Sequence, residues 1–200
     1  MFGPLNRRED GTVVFASPVG DGHVPMIALS DLGYFARYSF DHREEVSGKD
    51  LEIVSEVVGW DHLVETFTRV TGQKAVYKRQ TVDEWMNNFT NIDRPLAIQG
   101  VEGGTTWRQN FSYVISMKNP IRTSLSDRCF FLRHRSFWRQ WRDDVITRDV
   151  EWNRRINPHG QSLESWMRTT NYVGRIDPSF LKNFSESRRT GINWDVVKAL

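Results

Sequence analysis

Short apolar runs rich in β-branched residues alternate with amphipathic helical patterns through the first half of the chain. These runs are predicted strands, and they lie at Thr12–Pro18, His23–Leu29, Asp50–Gly59 and Lys74–Gln80. Helical patterns follow the second, third and fourth runs, so the predicted order is β-β-α-β-α-β-α. Alternating strands and helices restrict the chain to an α/β fold in which helices pack against a sheet.

The turn between the first two predicted strands and the helix that follows them have local signals. Gly20–Gly22 predicts a hairpin-like connection, and Pro25 keeps the second strand at an edge or at its start. Ser30 is predicted to cap the first helix through its hydroxyl. The predicted inward face of that helix carries Leu32, Phe35, Ala36 and Phe40.

The next two helices are predicted from both their ends and their faces. The apolar stripe of the second helix comprises Trp60, Leu63, Val64, Phe67 and Val70. Gly72 suits the end of that helix because glycine accepts the left-handed conformation. Thr81 and Glu84 form a T-x-x-E capping box, which predicts the start of the third helix.

The sequence changes character after Pro95, where it becomes glycine-rich and loop-like. A long helix is predicted from Phe137 to Asn157, which precedes a proline, and shorter helices begin at Ser162 and Asp177. The predicted organisation is an α/β part over residues 1–95, a loop and insertion over residues 96–136, and a helical region over residues 137–200.

Composition excludes several classes of protein. The 27 basic and 25 acidic residues give a net charge of +2, which argues against an extended phosphate-binding surface. The single cysteine cannot form an intrachain disulfide. No apolar run reaches the roughly 18–20 residues that cross a bilayer, and the N-terminus lacks the apolar stretch of a secretory signal. We therefore expect a cytoplasmic or nuclear protein.

The motifs of common catalytic and cofactor sites are missing from the sequence. The glycine-rich turns at Gly20–Gly22 and Gly100–Gly104 lack the G-x-G-x-x-G pattern that admits a dinucleotide pyrophosphate. No tyrosine has a lysine four residues later, and the five histidines lack zinc-ligand spacing. We therefore predict no catalytic, cofactor-binding or metal-binding residue.

One basic and aromatic stretch raises the question of nucleic-acid binding. It reads "LRHRSFWRQWRDDVITRDVEWNRR", and its rings and arginines could stack on single strands. Acidic residues interleave with the arginines, however, and the tryptophans fall at core-like spacing. An amphipathic helix with a salt-bridged outer face explains the stretch better, so direct nucleic-acid binding is not expected.

Several motifs resemble the NmrA-like family, and its fungal members most closely. In the first half these are "VPMIALSDLG", the turn "SGKDLEI", and "FTRVTG" before "KAVY". In the second half, "FWRQWRDDVITRDVEWNRRINP" and "SLESWMRTTNYVG" are similar to the C-terminal helices of the same group. The motifs together cover most of the chain apart from its opening stretch.

The resemblance implies an atypical relative of the short-chain dehydrogenases/reductases. Such proteins have an N-terminal Rossmann half that binds NAD(P) and a smaller C-terminal α/β part. Only the later part is matched here, so we expect a truncated protein with an incomplete NmrA-like fold that binds no dinucleotide by itself. Phe2, Pro4 and His23 are predicted to line the cleft near the nicotinamide end.

The resemblance is compatible with three functions. The first is the substrate- or partner-binding portion of an NAD(P)-binding, redox-sensing regulator, of the kind that acts in nitrogen metabolite repression. The second is a fragment of an NAD(P)H-dependent reductase of the isoflavone-reductase-like type. The third is a stand-alone protein-interaction module. The expected partners are a protein such as a transcription factor, or a second copy of the chain.

Residues 113–136 interrupt two motifs that similar proteins join almost directly, "TWRQNFS" and "FWRQWRDD". We hypothesise a retained intron translated in frame, because the codons of Ser112 to Val114 and of Ser126-Asp127 can encode a splice donor and a branch site. The alternative is a genuine surface insertion. Under either reading Cys129 and His134 are not expected to be functional, and sequencing the transcript distinguishes the two.

Overall fold

The structure is a computed structural model that describes residues 3–90, 92, 137–175 and 191–200. Its strands are β1 (Asn6–Arg7), β2 (Val13–Ser17), β3 (His23–Met26), β4 (Glu56–Gly59) and β5 (Ala75–Arg79). Its helices are α1 (Leu29–Asp41), α2 (Arg43–Val46), α3 (Trp60–Thr71), α4 (Val82–Asn87), α5 (Phe137–Arg142), α6 (Val150–Ile156), α7 (Leu163–Thr169) and α8 (Trp194–Val197). No helix within these ranges is long and apolar enough to span a membrane.

Two small sheets organise these elements. One sheet has the order β1-β2-β5, with β1 antiparallel and β5 parallel to β2. The parallel register runs from Val13 opposite Ala75 to Ser17 opposite Arg79. The other sheet is the antiparallel pair β3-β4, in which both strands are edges, as Pro25 requires. The predicted α/β class is confirmed.

The predicted hairpin between the first two strands is wrong. β2 pairs with β1 and β5, whereas β3 pairs with β4. The turn that contains Gly20 instead carries the chain from one sheet to the other. The Tyr77 hydroxyl donates to the carbonyls of Ser17 at 3.2 Å and Gly20 at 3.1 Å, which fixes this turn against β5.

The main core lies where α3 packs beside β2 and β5. All five residues of β2 are buried, and the Phe15 ring meets the edge of the Phe67 ring at a centroid distance of 5.3 Å. Leu163 and Met167 of α7 and Trp138 of α5 belong to the same apolar cluster. Helices from the last third of the chain thus complete the core of the first third. The boundaries of the three predicted regions stay predictions.

The ends predicted for α3 and α4 are confirmed. Gly72 follows α3 in the left-handed conformation, with φ of 70°. The Thr81 side chain accepts from the backbone N–H of Glu84, whose carboxylate accepts from the Thr81 N–H at 2.7 Å. That backbone hydrogen bond, followed by one from the Thr81 hydroxyl, lowers the pKa of Glu84.

The cap predicted for α1 is wrong, and of its predicted inward face Phe35 is buried whereas the other three residues are exposed. The helix begins two residues earlier than expected, after Ala28 instead of after Ser30, and no side chain of the described residues caps it. Asp31 and Phe35 are the buried residues of α1, whereas Leu32 and Phe40 of the predicted face are exposed. The helix therefore buries the face that contains Asp31, and it exposes most of the apolar face that the sequence predicted to be buried.

The long helix predicted from Phe137 is also wrong, because α5 and α6 are separate. Asp144 has φ of 46°, which is incompatible with a continuous right-handed helix. Asp149 then caps α6 by accepting from the Trp152 N–H at 2.7 Å. The predicted stop at Asn157 and the predicted cap at Ser162 are confirmed.

The C-terminal residues return to the outer edge of the first sheet. Val197 of α8 is fully buried and packs with Leu5 and Ala16. The Arg8 guanidinium donates to the Leu200 carbonyl, with its Nε at 3.0 Å.

Three predictions concern residues outside the described ranges. They are the cleft role of Phe2, the insertion at residues 113–136 with Cys129 and His134, and the helix starting at Asp177. They stay predictions.

Candidate functional site

A cavity of about 60 Å³ lies between the start of α1, the segment before β4, and the region from α6 to α7. Phe35 and Val54 supply apolar wall, and the polar wall comprises Asp31, Ser55, Asn153, Arg154, Asn157 and Gln161. Space for a single water needs roughly 10–15 Å³, so this cavity admits a group of several heavy atoms.

Asp31 supplies the carboxylate of this cavity, and its position follows from the orientation of α1. It lies four residues before Phe35 on the inward face, and it is 4% exposed. Oδ2 accepts from the Ser55 hydroxyl at 2.6 Å and from the Gln161 N–H at 2.8 Å. From the described residues, Oδ1 receives one long hydrogen bond, 3.4 Å from the Ser30 hydroxyl. The carboxylate thus keeps acceptor capacity on Oδ1.

Gln161 also lines the cavity and carries an acceptor atom without a donor among the described residues. Its side-chain Oε1 is buried, and no donor reaches it within the described ranges. A buried carbonyl oxygen without a donor costs roughly 1–3 kcal/mol, so this atom favours a ligand group that donates. Gly160 beside it brings the backbone close to Asp31, since a Cβ there would lie 3.4 Å from Oδ2.

Asn153 forms the floor of the cavity and is fully engaged in structural bonds. Its Oδ1 accepts from the Val54 N–H at 2.9 Å, and its Nδ2 donates to the carbonyls of Glu52 at 3.1 Å and Asp149 at 2.8 Å. These bonds join α6 to the segment that leads into β4. Asn153 therefore positions the cavity wall and has little capacity left for a ligand.

Replacing Asn153 with alanine is expected to lower the free energy of unfolding by about 2–3 kcal/mol. The change leaves the Val54 N–H without a partner in a buried place, and it removes the half-buried hydrogen bond to the Glu52 carbonyl. Urea unfolding followed by fluorescence measures the loss. Asn171→Gly, at an exposed turn where φ is 49° and glycine is accepted, is the control, and equal losses in both variants would contradict the bridging role.

Aromatic contacts hold α1 and α6 together around the cavity. The rings of Phe35 and Trp152 stack with centroids 6.2 Å apart, and the Tyr34 hydroxyl donates to the Ile156 carbonyl at 2.8 Å. These contacts fix the distance between the two helices, and hence the width of the cavity.

Arg79 stands in a separate charged cluster at the end of β5. It donates to Asp21 at 2.7 Å and to Asp61 at 2.6 Å, and it lies over the Tyr77 ring. Burial raises the pKa of the Tyr77 hydroxyl. Two carboxylates already satisfy Arg79, so this cluster ties β5 to α3 and offers little to an anionic ligand.

Two of the predicted cleft residues, Pro4 and His23, do not line the cavity. Pro4 is buried and its ring approaches Gly174, since a Cβ at Gly174 would lie 3.5 Å from the proline Cγ. His23 is half-exposed, and its Nδ1 lies 3.0 Å from the carboxylate of Asp144. The cleft role of these residues stays a prediction.

The cavity residues Asp31 and Gln161 were missed at the level of sequence. The spacing of Asp31 and Phe35 is the only signal that places the carboxylate on the inward face of α1. No local signal identifies Gln161, because its burial depends on how the segment before α7 crosses α1. Within the described ranges, no group of three histidine, cysteine or acidic side chains could hold a metal ion.

Comparison with known proteins gives one informative similarity. No family model matches the sequence. A curated protein, the NmrA-like family domain-containing oxidoreductase FrzB of Cladobotryum sp., is 34% identical over 86 residues. The match covers 39% of this chain and 26% of FrzB, so the chain aligns with about a quarter of the relative. The similarity supports an NmrA-like character, and the mixed α/β structure is compatible with part of such a domain.

Proposed function

We propose that this chain is the substrate- or partner-binding portion of an NAD(P)-binding, NmrA-like, redox-sensing regulator. The observation that carries the proposal is the 34% identity over 86 residues to an NmrA-like oxidoreductase. Because that relative is named an oxidoreductase, a fragment of an NAD(P)H-dependent reductase of the isoflavone-reductase-like type is the alternative within the same family.

The described geometry favours binding over catalysis by these residues. The cavity presents acceptors from Asp31 and Gln161 beside an apolar wall, which is the composition of a small-molecule site. Pro4 and His23, together with Phe2, are proposed to line a cleft in the fold of the whole family.

NAD(P) is proposed to belong to the whole family fold and not to this chain alone. We expect titration calorimetry of the chain with NADP⁺ and NADPH to give only heats of dilution. The reason is that backbone N–H groups of a glycine-rich turn at a helix N-terminus supply the main pyrophosphate contacts, and the sequence has no G-x-G-x-x-G. Dissociation constants in the micromolar range would contradict the proposal that this chain alone does not hold NAD(P).

An assay on a longer protein distinguishes the regulator from the reductase. Such a protein would carry the chain together with any reading frame found upstream of Met1 in the genomic DNA. A regulator is expected to bind NADPH without oxidising it, whereas a reductase oxidises NADPH in the presence of a carbonyl substrate. Failure of a longer protein to bind either nucleotide would count against the family-based proposal as a whole.

The exposed apolar stripe of α1 favours self-association as a second candidate function. Leu29 is 84% exposed, Leu32 is 43% exposed and Phe40 is 80% exposed. Gly33 and Ala36 lie between the ends of the stripe, and small residues allow two helices to approach closely. If two copies pair antiparallel, Leu29 of each packs against Phe40 of the other, as an isologous dimer requires. The stripe is smaller than a standard interface, so a weak dimer is expected.

Replacing Phe40 with glutamate is expected to weaken this dimer by about 100-fold or more. Each dimer loses two exposed phenylalanine contacts, worth about 1.5–3 kcal/mol each. Size-exclusion chromatography with light scattering over a concentration series measures the change. Val145→Glu, at another exposed apolar residue, is the control. A native chain that stays monomeric at the highest concentration would remove this candidate.

A further inference from the structure

We propose that the cavity between α1 and α6 binds the ammonium group of a small amine through Asp31 and Gln161. The proposal deepens the substrate-binding role proposed above and rests on it, because it assigns a chemical class to the ligand of that portion. It is carried by the geometry of the described residues.

The hydrogen-bond inventory of the cavity favours a ligand that donates. Asp31 Oδ1 has one long hydrogen bond, and Gln161 Oε1 has no donor within the described ranges. Both are acceptor atoms. The Asn157 amide adds a further polar group to the wall. An ammonium group carries three N–H donors and no acceptor, so it matches this set better than a hydroxyl or a carboxylate does.

The charge of Asp31 favours a cation over a neutral donor. The carboxylate is almost fully buried, and none of the described lysine, arginine or histidine side chains pairs with it. Hydroxyl and amide donors offset only part of the cost of burying a charge. A cationic ligand compensates that charge directly, which gives an ammonium an advantage over an alcohol of the same shape.

The size and walls of the cavity limit the ligand to a small head group. About 60 Å³ accommodates an ammonium and one or two attached carbons. Phe35 and Val54 present apolar surface to those carbons. The exposed Arg154 at the rim carries a like charge, so it disfavours ligands with a second cationic group nearby. A metal ion is a poorer occupant, because Asp31 is the one acidic side chain among the described residues that line the cavity, and no group of three histidine, cysteine or acidic side chains is found within the described ranges.

The test is a nuclear magnetic resonance titration of the ¹⁵N-labelled full chain with ethylammonium chloride. Sodium chloride at equal ionic strength and ethanol at equal concentration are the reference titrations. A ligand of three heavy atoms is limited to a dissociation constant of about 1 mM, so the titration extends to several times that value. We expect saturable shifts of the Asp31, Ser55 and Gln161 backbone amides with ethylammonium only.

Variants of Asp31 and Gln161 test whether these two residues bind the ethylammonium ion. Gln161→Leu keeps the backbone N–H that bonds Asp31, and it is expected to weaken ethylammonium binding at least tenfold. Asp31→Asn is expected to abolish saturable binding. Asp83→Asn removes a carboxylate from the exposed face of α4 and is expected to change the dissociation constant less than twofold. If Asp31→Asn fails to fold, Gln161→Leu decides alone.

Two results would overturn the proposal. One is an equal response to ethanol or sodium chloride, which would mean that the shifts do not report recognition of an ammonium group. The other is unchanged ethylammonium affinity in Gln161→Leu. Neither result bears on the nucleotide calorimetry, so failure of the ammonium site and failure of the family-based function can be told apart.

Discussion

Replacing Phe67 with alanine is expected to lower the free energy of unfolding by about 3–5 kcal/mol. The side chain is fully buried in the middle of α3. Its ring contacts Phe15 of β2 edge-on at 5.3 Å and Tyr172 after α7 at 6.0 Å, measured between ring centroids. Phe67 therefore fills the space between the main sheet and the helices of the last third of the chain, and alanine leaves a cavity there.

The same residue type on the surface provides a matched control. Phe40 is 80% exposed, so Phe40→Ala is expected to change the free energy of unfolding by less than about 0.5 kcal/mol. Urea unfolding of both variants, at a protein concentration below that of self-association, measures the contrast. Phe67→Leu refills part of the space and is expected to recover about half of the loss. Similar stabilities for Phe67→Ala and Phe40→Ala would contradict the packing described for α3.

Local signals explain why α3 and α4 could be predicted from the sequence. The left-handed glycine at Gly72 and the capping box of Thr81 and Glu84 operate within a single helical turn. The stripe through Trp60 and Phe67 is a single apolar face, so only one orientation buries it. In these elements the residues that decide the structure are neighbours in sequence.

Longer-range contacts explain the predictions that were wrong. The turn at Gly20 suits a crossover between sheets as well as it suits a hairpin. Which of the two forms depends on β5, a strand far along the chain that pairs with β2. In α1 the more apolar stripe lies outward because the buried face supplies Asp31 to the segments around Ser55 and Gln161. A polar junction between distant segments thus overrides the hydrophobic pattern of the helix.

The candidate site could not be predicted for the same reason. Its two available acceptors come from the start of α1 and from the segment before α7, and they meet only in the folded chain. A sequence pattern detects a site when its residues have a fixed spacing, as zinc ligands or phosphate-binding glycines do. Asp31 and Gln161 have no such spacing, whereas the motifs similar to the NmrA-like family are contiguous and could be read directly.

Replacing Gly22 with alanine is expected to lower the free energy of unfolding by about 3 kcal/mol or more. A Cβ at this position would overlap the carbonyl oxygen of Trp141 and would lie 2.6 Å from the Cα of Arg142. Both are backbone atoms of α5, so no side-chain rotation can relieve the clash. The end of α5 must move away from β3, or the turn before β3 must shift.

A glycine elsewhere in the chain provides the control for this prediction. Gly33 lies within α1, and a Cβ there would meet no atom of the described residues within 4 Å. Gly33→Ala is therefore expected to stabilise the chain by about 0.5–1 kcal/mol, since alanine restricts the unfolded chain more than glycine does. The two substitutions are chemically identical and are predicted to have opposite signs in thermal or urea unfolding.

The clash at Gly22 also predicts a local change in amide exchange, which a general loss of stability would not produce. Asp144 after α5 accepts from the His23 N–H at 2.7 Å and lies 3.0 Å from the ring Nδ1 of the same residue. Displacing α5 breaks both contacts, so amide exchange at His23 should accelerate in Gly22→Ala more than at the centre of β2. Asp144→Ala removes the same acceptor without the clash and should accelerate exchange at His23 with a smaller loss of stability. Uniform acceleration across the chain in Gly22→Ala would contradict the close approach of α5 to this turn.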